Sequence, residues 1–176
     1  AKKAFAEGTS LRDACLDLGL LSAEKFDEVF RPEEMDAWVA EFRSWDLCDQ
    51  CCINLFRYTS YAYGKVREYA ASDEEFTRRA GFALLATLAV GDKRASDDDF
   101  RAFLPLIERG AEDSRVRIGK AVNWALRQIG KRSRGLYPDA LALARRLAAK
   151  EGAAARRIGR DAVRELTLER IIARIK

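Results

Sequence analysis

Histidine is absent from this 176-residue chain, and that absence removes most of the familiar catalytic schemes. No Ser-His or Cys-His couple can be built, so any chemistry must run on Asp, Glu, Lys, Arg, Tyr or Cys. Cys15, Cys48, Cys51 and Cys52 have no imidazole to complete a zinc set, and three of them crowd one short stretch where neighbouring side chains point different ways. They read as reduced, buried thiols, and neither a metal nor a cofactor is expected. Apolar runs of membrane-spanning length are also missing, no membrane partner is expected, and no signal peptide is visible; a soluble, cytoplasmic protein is expected. Met35 is the only methionine, which reads as a fragment.

What is present is charge, unevenly spread. The net charge is +4, but residues 1–64 hold 7 basic and 12 acidic side chains, whereas residues 65–176 hold 25 and 16. A basic second part implies a polyanionic partner. The length suits one domain with a proper core.

Helix signals follow one another and no strand pattern competes. Short helices are predicted over 11–18 and 23–30, with Gly8, Gly19 and Pro32 as punctuation. Pro32 suits a first helical turn, with Trp38, Val39 and Phe42 as its stripe. Ser44 reads as the N-cap of a helix running toward Arg57. Its heptad-like spacing puts Trp45, Asp49, Cys52 and Phe56 on one face and Leu47, Cys48, Cys51 and Leu55 on another. Asp49 is therefore a carboxylate in apolar surroundings, which costs several kcal/mol unless it is paired or kept for a purpose. An irregular helix is predicted over 58–69, a capping box at Ser72–Glu75 opening a buried helix over 76–90, and a helix from Ser96 to Arg109. Asp113 or Ser114 opens a long helix to Lys131, Pro138 one to Lys150, and residues 153–175 close the chain.

Ala80, Ala121 and Ala162 stand 41 residues apart, each near the start of an apolar helix. That period lies in the range of HEAT and armadillo repeats, so the fold class is all-α, an α-solenoid. In the helix from 114 to 131, Ile118, Val122, Ala125, Leu126 and Ile129 form the buried stripe. Trp124 lies more than 100° away, among Arg117, Lys120, Arg127 and Lys131. Two readings stand: the indole packs against a neighbouring repeat, or it is offered to a nucleic acid on a basic surface. Lys131, Arg132 and Arg134 continue into a loop suited to phosphates.

Two resemblances enter here. Residues 1–35, from Ala-Lys-Lys-Ala-Phe-Ala-Glu-Gly to Phe-Arg-Pro-Glu-Glu-Met35, resemble the C-terminal tail of class II fumarases and aspartases. The Gly-Ser-Ser-x-Met-Pro loop of those lyases is absent, so this segment reads as a helical appendage without lyase activity. Further on, Ser44-Trp45-Asp46-Leu47-Cys48-Asp49, Phe76-Thr77-Arg78-Arg79-Ala80 and Lys120-Ala121-Val122-Asn123-Trp124-Ala125-Leu126-Arg127 resemble, in order, the motifs of AlkD-type bacterial DNA alkylation repair glycosylases. The division expected is 1–35 as appendage and 36–176 as a HEAT-like DNA alkylation repair domain, lacking the first repeats of that family.

The resemblance implies metal-free excision of cationic N3- and N7-alkylated purines from duplex DNA. It assigns Trp45 and Trp124 to the flanks of the lesion's deoxyribose, Asp49 as the catalytic carboxylate and Arg79 as a cation facing the backbone. Asp49 also has a purely structural reading, as a salt bridge to Arg79. Arg78, Arg117, Lys120, Arg127, Lys131, Arg132 and Arg134 are the expected DNA contacts. An alkylpurine cation leaves without protonation, so the enzyme need only stabilise positive charge on the sugar, which a fixed carboxylate does. The alternatives are a HEAT-like module that binds DNA without chemistry and a helical protein-interaction scaffold. The truncated end of the stack is expected to favour self-association.

Overall fold

The computed structural model describes residues 11–29 and 31–175. Among them every regular element is helical: α1 (Leu11–Asp17), α2 (Ala23–Val29), α3 (Pro32–Ala40), α4 (Trp45–Asn54), a 3-10 turn (Phe56–Tyr58), α5 (Ala62–Ala70), α6 (Glu75–Gly91), α7 (Asp97–Arg101), α8 (Leu104–Gly110), α9 (Val116–Arg132), α10 (Tyr137–Ala149), α11 (Ala153–Leu166) and α12 (Glu169–Ile172). The sequence motif at residues 1–10 and the predicted helix end at Phe30 lie outside the described residues. The all-α expectation holds.

The helices stack as pairs. A front row, α4, α6, α9 and α11, packs each helix against the next, and a back row, α5, α8 and α10, covers it, with α3 also touching α6. The 41-residue period is physical: Ala80, Ala121 and Ala162 are each fully buried, one on each of α6, α9 and α11. Small residues set the spacing between rows. A Cβ on Gly159 of α11 would stand 2.2 Å from the Ala148 nitrogen, and one on Gly81 of α6 would stand 2.5 Å from the Ala70 nitrogen.

The centre of the core is α6, buried continuously from Arg79 to Ala89 because helices cover it on several sides. Ile118, Val122, Ala125, Leu126 and Ile129 form the expected inward stripe of α9. Cys48, Cys51 and Cys52 are buried free thiols; the Cys48 and Cys52 sulfurs sit 3.8 and 3.6 Å from the Phe76 and Ala80 carbonyls, and burial raises the Cys52 thiol well above its ordinary range. The expected boundary at residue 35 falls inside α3, whose Met35 is 1% exposed and joins the core.

Local details depart from expectation. Helix α4 ends at Asn54, and the chain turns through Leu55 into the 3-10 turn before α5, so the irregular 58–69 helix divides in two. Leu47 is 51% exposed, so the second apolar face keeps Cys48 and Cys51 in the core and Leu55, at the helix end, partly buried against it. The Ser72 hydroxyl accepts from the Glu74 nitrogen, but α6 starts later, with Glu74 as its cap. A true capping box forms at Ser96 and Asp99. The Ser96–Arg109 helix breaks into α7 and α8 because Pro105 cannot donate a hydrogen bond and its ring crowds the preceding turn.

The close approach at Gly159 makes a sharp prediction. Gly159→Ala should lower unfolding stability by about 1–3 kcal/mol, because the two rows must separate. Gly64→Ala in α5, with nothing within 4 Å, should be neutral or stabilising by up to about 1 kcal/mol. Urea denaturation of the two variants measures the difference.

Candidate nucleic-acid interface

The front-row helices run parallel, as the register of their cross-links shows, so their amino ends line up along one edge. Arg79, on the first turns of α6, ties three of them together. Its Nε and Nη2 donate to the two Asp49 oxygens of α4 at 3.0 and 2.7 Å, and Nη1 donates to the Arg117 carbonyl of α9 at 2.6 Å. The side chains of Asp49 and Arg79 are 13% and 6% exposed. The expected salt bridge is therefore present, and the guanidinium faces protein partners rather than the surface.

Over this pair stands Trp45, the first residue of α4, 56% exposed, with the Arg79 guanidinium 5.9 Å from its ring centroid. Trp45, Arg79, Val116, Arg117 and Lys120 line a hollow of about 490 Å³. Asp49 sits behind this lining. Trp124 is absent from it: one helical turn beyond Lys120 on α9, it is partly buried against the core.

The other expected DNA contacts separate by what they touch. Lys120 is exposed with no ion pair among the described residues, and Arg117 keeps 55% side-chain exposure beside Glu75. Arg78 pairs with Asp113 at 3.2 Å. Arg127 and Lys131 both clasp Glu165 of α11, Lys131 at 2.6 Å. Burial would raise the Glu165 carboxyl, but these two cations outweigh it and hold it below the usual range. Arg132 donates to the Ala89 and Ala95 carbonyls at 2.9 and 2.7 Å and covers the Phe100 ring, so it latches the carboxyl end of α6. Arg134 is exposed at that same far end.

Sequence reasoning passed over the last front-row helix. A second hollow of about 350 Å³ shares Val116 and Lys120 with the first and continues through Asn123 to Arg157 and Asp161. A third, about 440 Å³, shares Arg157 and adds Arg156, Arg160 and Arg164. Together they form one basic groove crossing α4, α6, α9 and α11. The overlooked signal was Arg-Arg-Ile-Gly-Arg-Asp-Ala-Val-Arg over 156–164, whose helical period puts Arg157, Arg160 and Arg164 on one face. Among the described residues no group of three Cys, Asp or Glu side chains could hold a metal ion.

The family model described as DNA alkylation repair enzyme matches residues 14–166. The chain belongs to that family. The family match takes in all four front-row helices and therefore the groove. A separate likeness is confined to a short stretch. The class II fumarate hydratases of Pseudomonas aeruginosa and Ralstonia nicotianae are each 63% identical to the chain over 35 residues, 20% of this chain and 8% of theirs. The mitochondrial fumarate hydratase of Rhizopus oryzae is 57% identical over 35 residues, 7% of its length. The chain thus spans a small part of these curated relatives. No solved structure matches it.

For this family member two solution experiments follow. Arg79→Ala strands the Asp49 carboxylate and should cost about 3–4 kcal/mol, the lower part of the range for breaking a buried pair because Asp49 retains some solvent. Asp49→Asn with Arg79→Met should recover part of that loss in urea denaturation. Asp113 is held below the usual carboxylate range by its hydrogen bond from Arg115, against burial and with help from Arg78. Its depressed folded value stabilises the protein above the ordinary aspartate pKa and loses that stabilisation as pH falls. Asp113→Asn should therefore be less stable at pH 7 and lose less stability between roughly pH 5 and pH 2.

Proposed function

We propose that the groove holds duplex DNA and that the Trp45 end of it excises positively charged N3- or N7-alkylated purines. Family membership makes the DNA repair role the frame, and the observation that carries the finer reading is the Asp49–Arg79 pair beneath an exposed indole at the mouth of a cationic hollow. Arg117, Lys120, Arg157 and Arg160 would engage phosphates, giving affinity without sequence reading. Trp45 would lie against the deoxyribose of the lesion, where its face favours cationic charge by roughly 0.5–2 kcal/mol.

Asp49 would supply the negative field for the oxocarbenium-like sugar as the glycosidic bond breaks, and water would complete the hydrolysis. A fixed carboxylate costs no reorganisation at that moment. Arg79 neutralises part of that field in the free protein, so bound lesion must draw the carboxylate edge toward the sugar. Trp124 would join from the adjacent turn of α9 once DNA occupies the groove.

A second reading, a DNA-binding module without excision, draws on two observations: both Asp49 oxygens are held by Arg79, and Trp124 does not line the hollow with Trp45. Incubation with methylated duplex separates the two. Released N3-methyladenine or N7-methylguanine supports excision, and Asp49→Asn should lower the single-turnover rate by about 10²–10³. Undiminished release by Asp49→Asn removes the carboxylate from the mechanism. Salt-sensitive binding without release leaves the binding module.

A further inference from the structure

A hollow of about 690 Å³ lies outside this groove. It lies at the carboxyl end of α6, where Gly91 is twelve residues, or about 18 Å, beyond Arg79 along the helix. Arg57, Lys93 and Arg94 bring three cations to its wall, with Tyr58 beside them and Asp13 of α1 opposite.

The carboxylate nearest these cations, Asp92, is fixed in place by neutral donors and keeps its charge. Asp92 accepts the Tyr63 hydroxyl at 3.0 Å and the Arg94 and Ala95 nitrogens at 2.9 and 3.2 Å, which holds its carboxyl below the usual range despite burial. Lys93 and Arg94 are exposed and have no ion pair among the described residues. Arg57 is the telling side chain. It is half-buried over Gly91, stacks on the Tyr58 ring with its guanidinium carbon 4.6 Å from the centroid, and among the described residues donates only to the Tyr58 hydroxyl. Its Nε is buried with no partner. A guanidinium has five N–H donors in a fixed fork, and leaving them unmatched away from water is costly. The buried Nε is closed to solvent, but the terminal Nη groups can engage a planar or tetrahedral oxyanion.

The carboxyl end of α6 opposes an anion here by at most about half an elementary charge. Three cations face two carboxylates, Asp13 and Asp92, and the remaining positive charge exceeds the helix-end contribution. The structure assigns this hollow to a phosphate group, a monoester or diester, gripped by Arg57 and steadied by Lys93 and Arg94. The phosphate has two sources: a free nucleotide or inorganic phosphate, or the backbone of a duplex whose flank passes the far ends of the front row. This assignment needs no excision chemistry.

The test uses the full chain and the surface variant Lys93→Glu with Arg94→Glu, beside a control of equal charge, Arg170→Glu with Arg174→Glu, both exposed and outside the hollow. Thermal unfolding is followed with inorganic phosphate and with adenosine monophosphate, and binding of unmodified duplex is titrated against salt. A rise in midpoint with either small anion, lost in the Lys93/Arg94 variant and kept in the control, establishes a free-phosphate site. No such rise, but duplex affinity at least about tenfold weaker than the control's and a salt slope shallower by about two, establishes backbone contact. Arg57→Gln should follow the Lys93/Arg94 variant in whichever arm responds. If neither small-anion stabilisation nor duplex binding distinguishes the variant from the control, the site does not exist. Base release by Asp49 is scored separately, so failure of excision leaves this result standing.

Discussion

One guanidinium carries the register of the front row. Arg79 holds both oxygens of Asp49 on the preceding front helix and the Arg117 carbonyl on the following one, so three successive repeats are fixed by a single buried cation. Such a tie is specific because each N–H has one geometric partner and the cost of an unmatched buried charge is several kcal/mol. It also decides where the exposed indole of Trp45 can stand, since Trp45 and Asp49 are one turn apart on α4.

The same role falls to four of the cations expected to touch DNA. Arg78, Arg127, Lys131 and Arg132 spend their cations on Asp113, Glu165 and backbone carbonyls, pinning helix to helix across a period of about one repeat. These four cations are therefore structural, although pairing leaves the net excess of positive charge in the second part of the chain unchanged. Those that line hollows open to a polyanion include Lys120, Arg117, Arg157 and Arg160 along the amino ends of the front row, and Arg57, Lys93 and Arg94 at the far end of α6. The family's DNA repair role needs a surface of this kind, and the groove supplies it where the matched helices meet.

Much of this was written in local pattern. Alanine at 80, 121 and 162 announced the repeat because only a small residue fits where the rows approach. The apolar run after Arg79 announced a buried helix, and the lone carboxylate at Asp49 announced a pair, with Arg79 the leading candidate. Other features were illegible for physical reasons. Leu47 belongs to an apolar face by spacing, yet no neighbour covers it, and coverage is a property of packing. Arg132 reads like Arg134 in sequence, but Arg132 is half-buried on two carbonyls and a phenyl ring, whereas Arg134 stays exposed with a single long contact to the Ile175 carbonyl. Arg157 and Arg160 were passed over because they look like an ordinary solvated helix face until the groove is seen to run across them.

The sequence by itself determined the helices, their 41-residue period and the presence of a carboxylate that had to be answered, because periodicity, capping and burial cost act over a few residues. Only the tertiary structure decided which of these cations are paired and which stay exposed, that Trp124 stands apart from Trp45, and that a second cationic hollow opens at the opposite end of α6. Those outcomes depend on which side chains meet across 30 to 40 residues of intervening chain, and no local pattern encodes that distance.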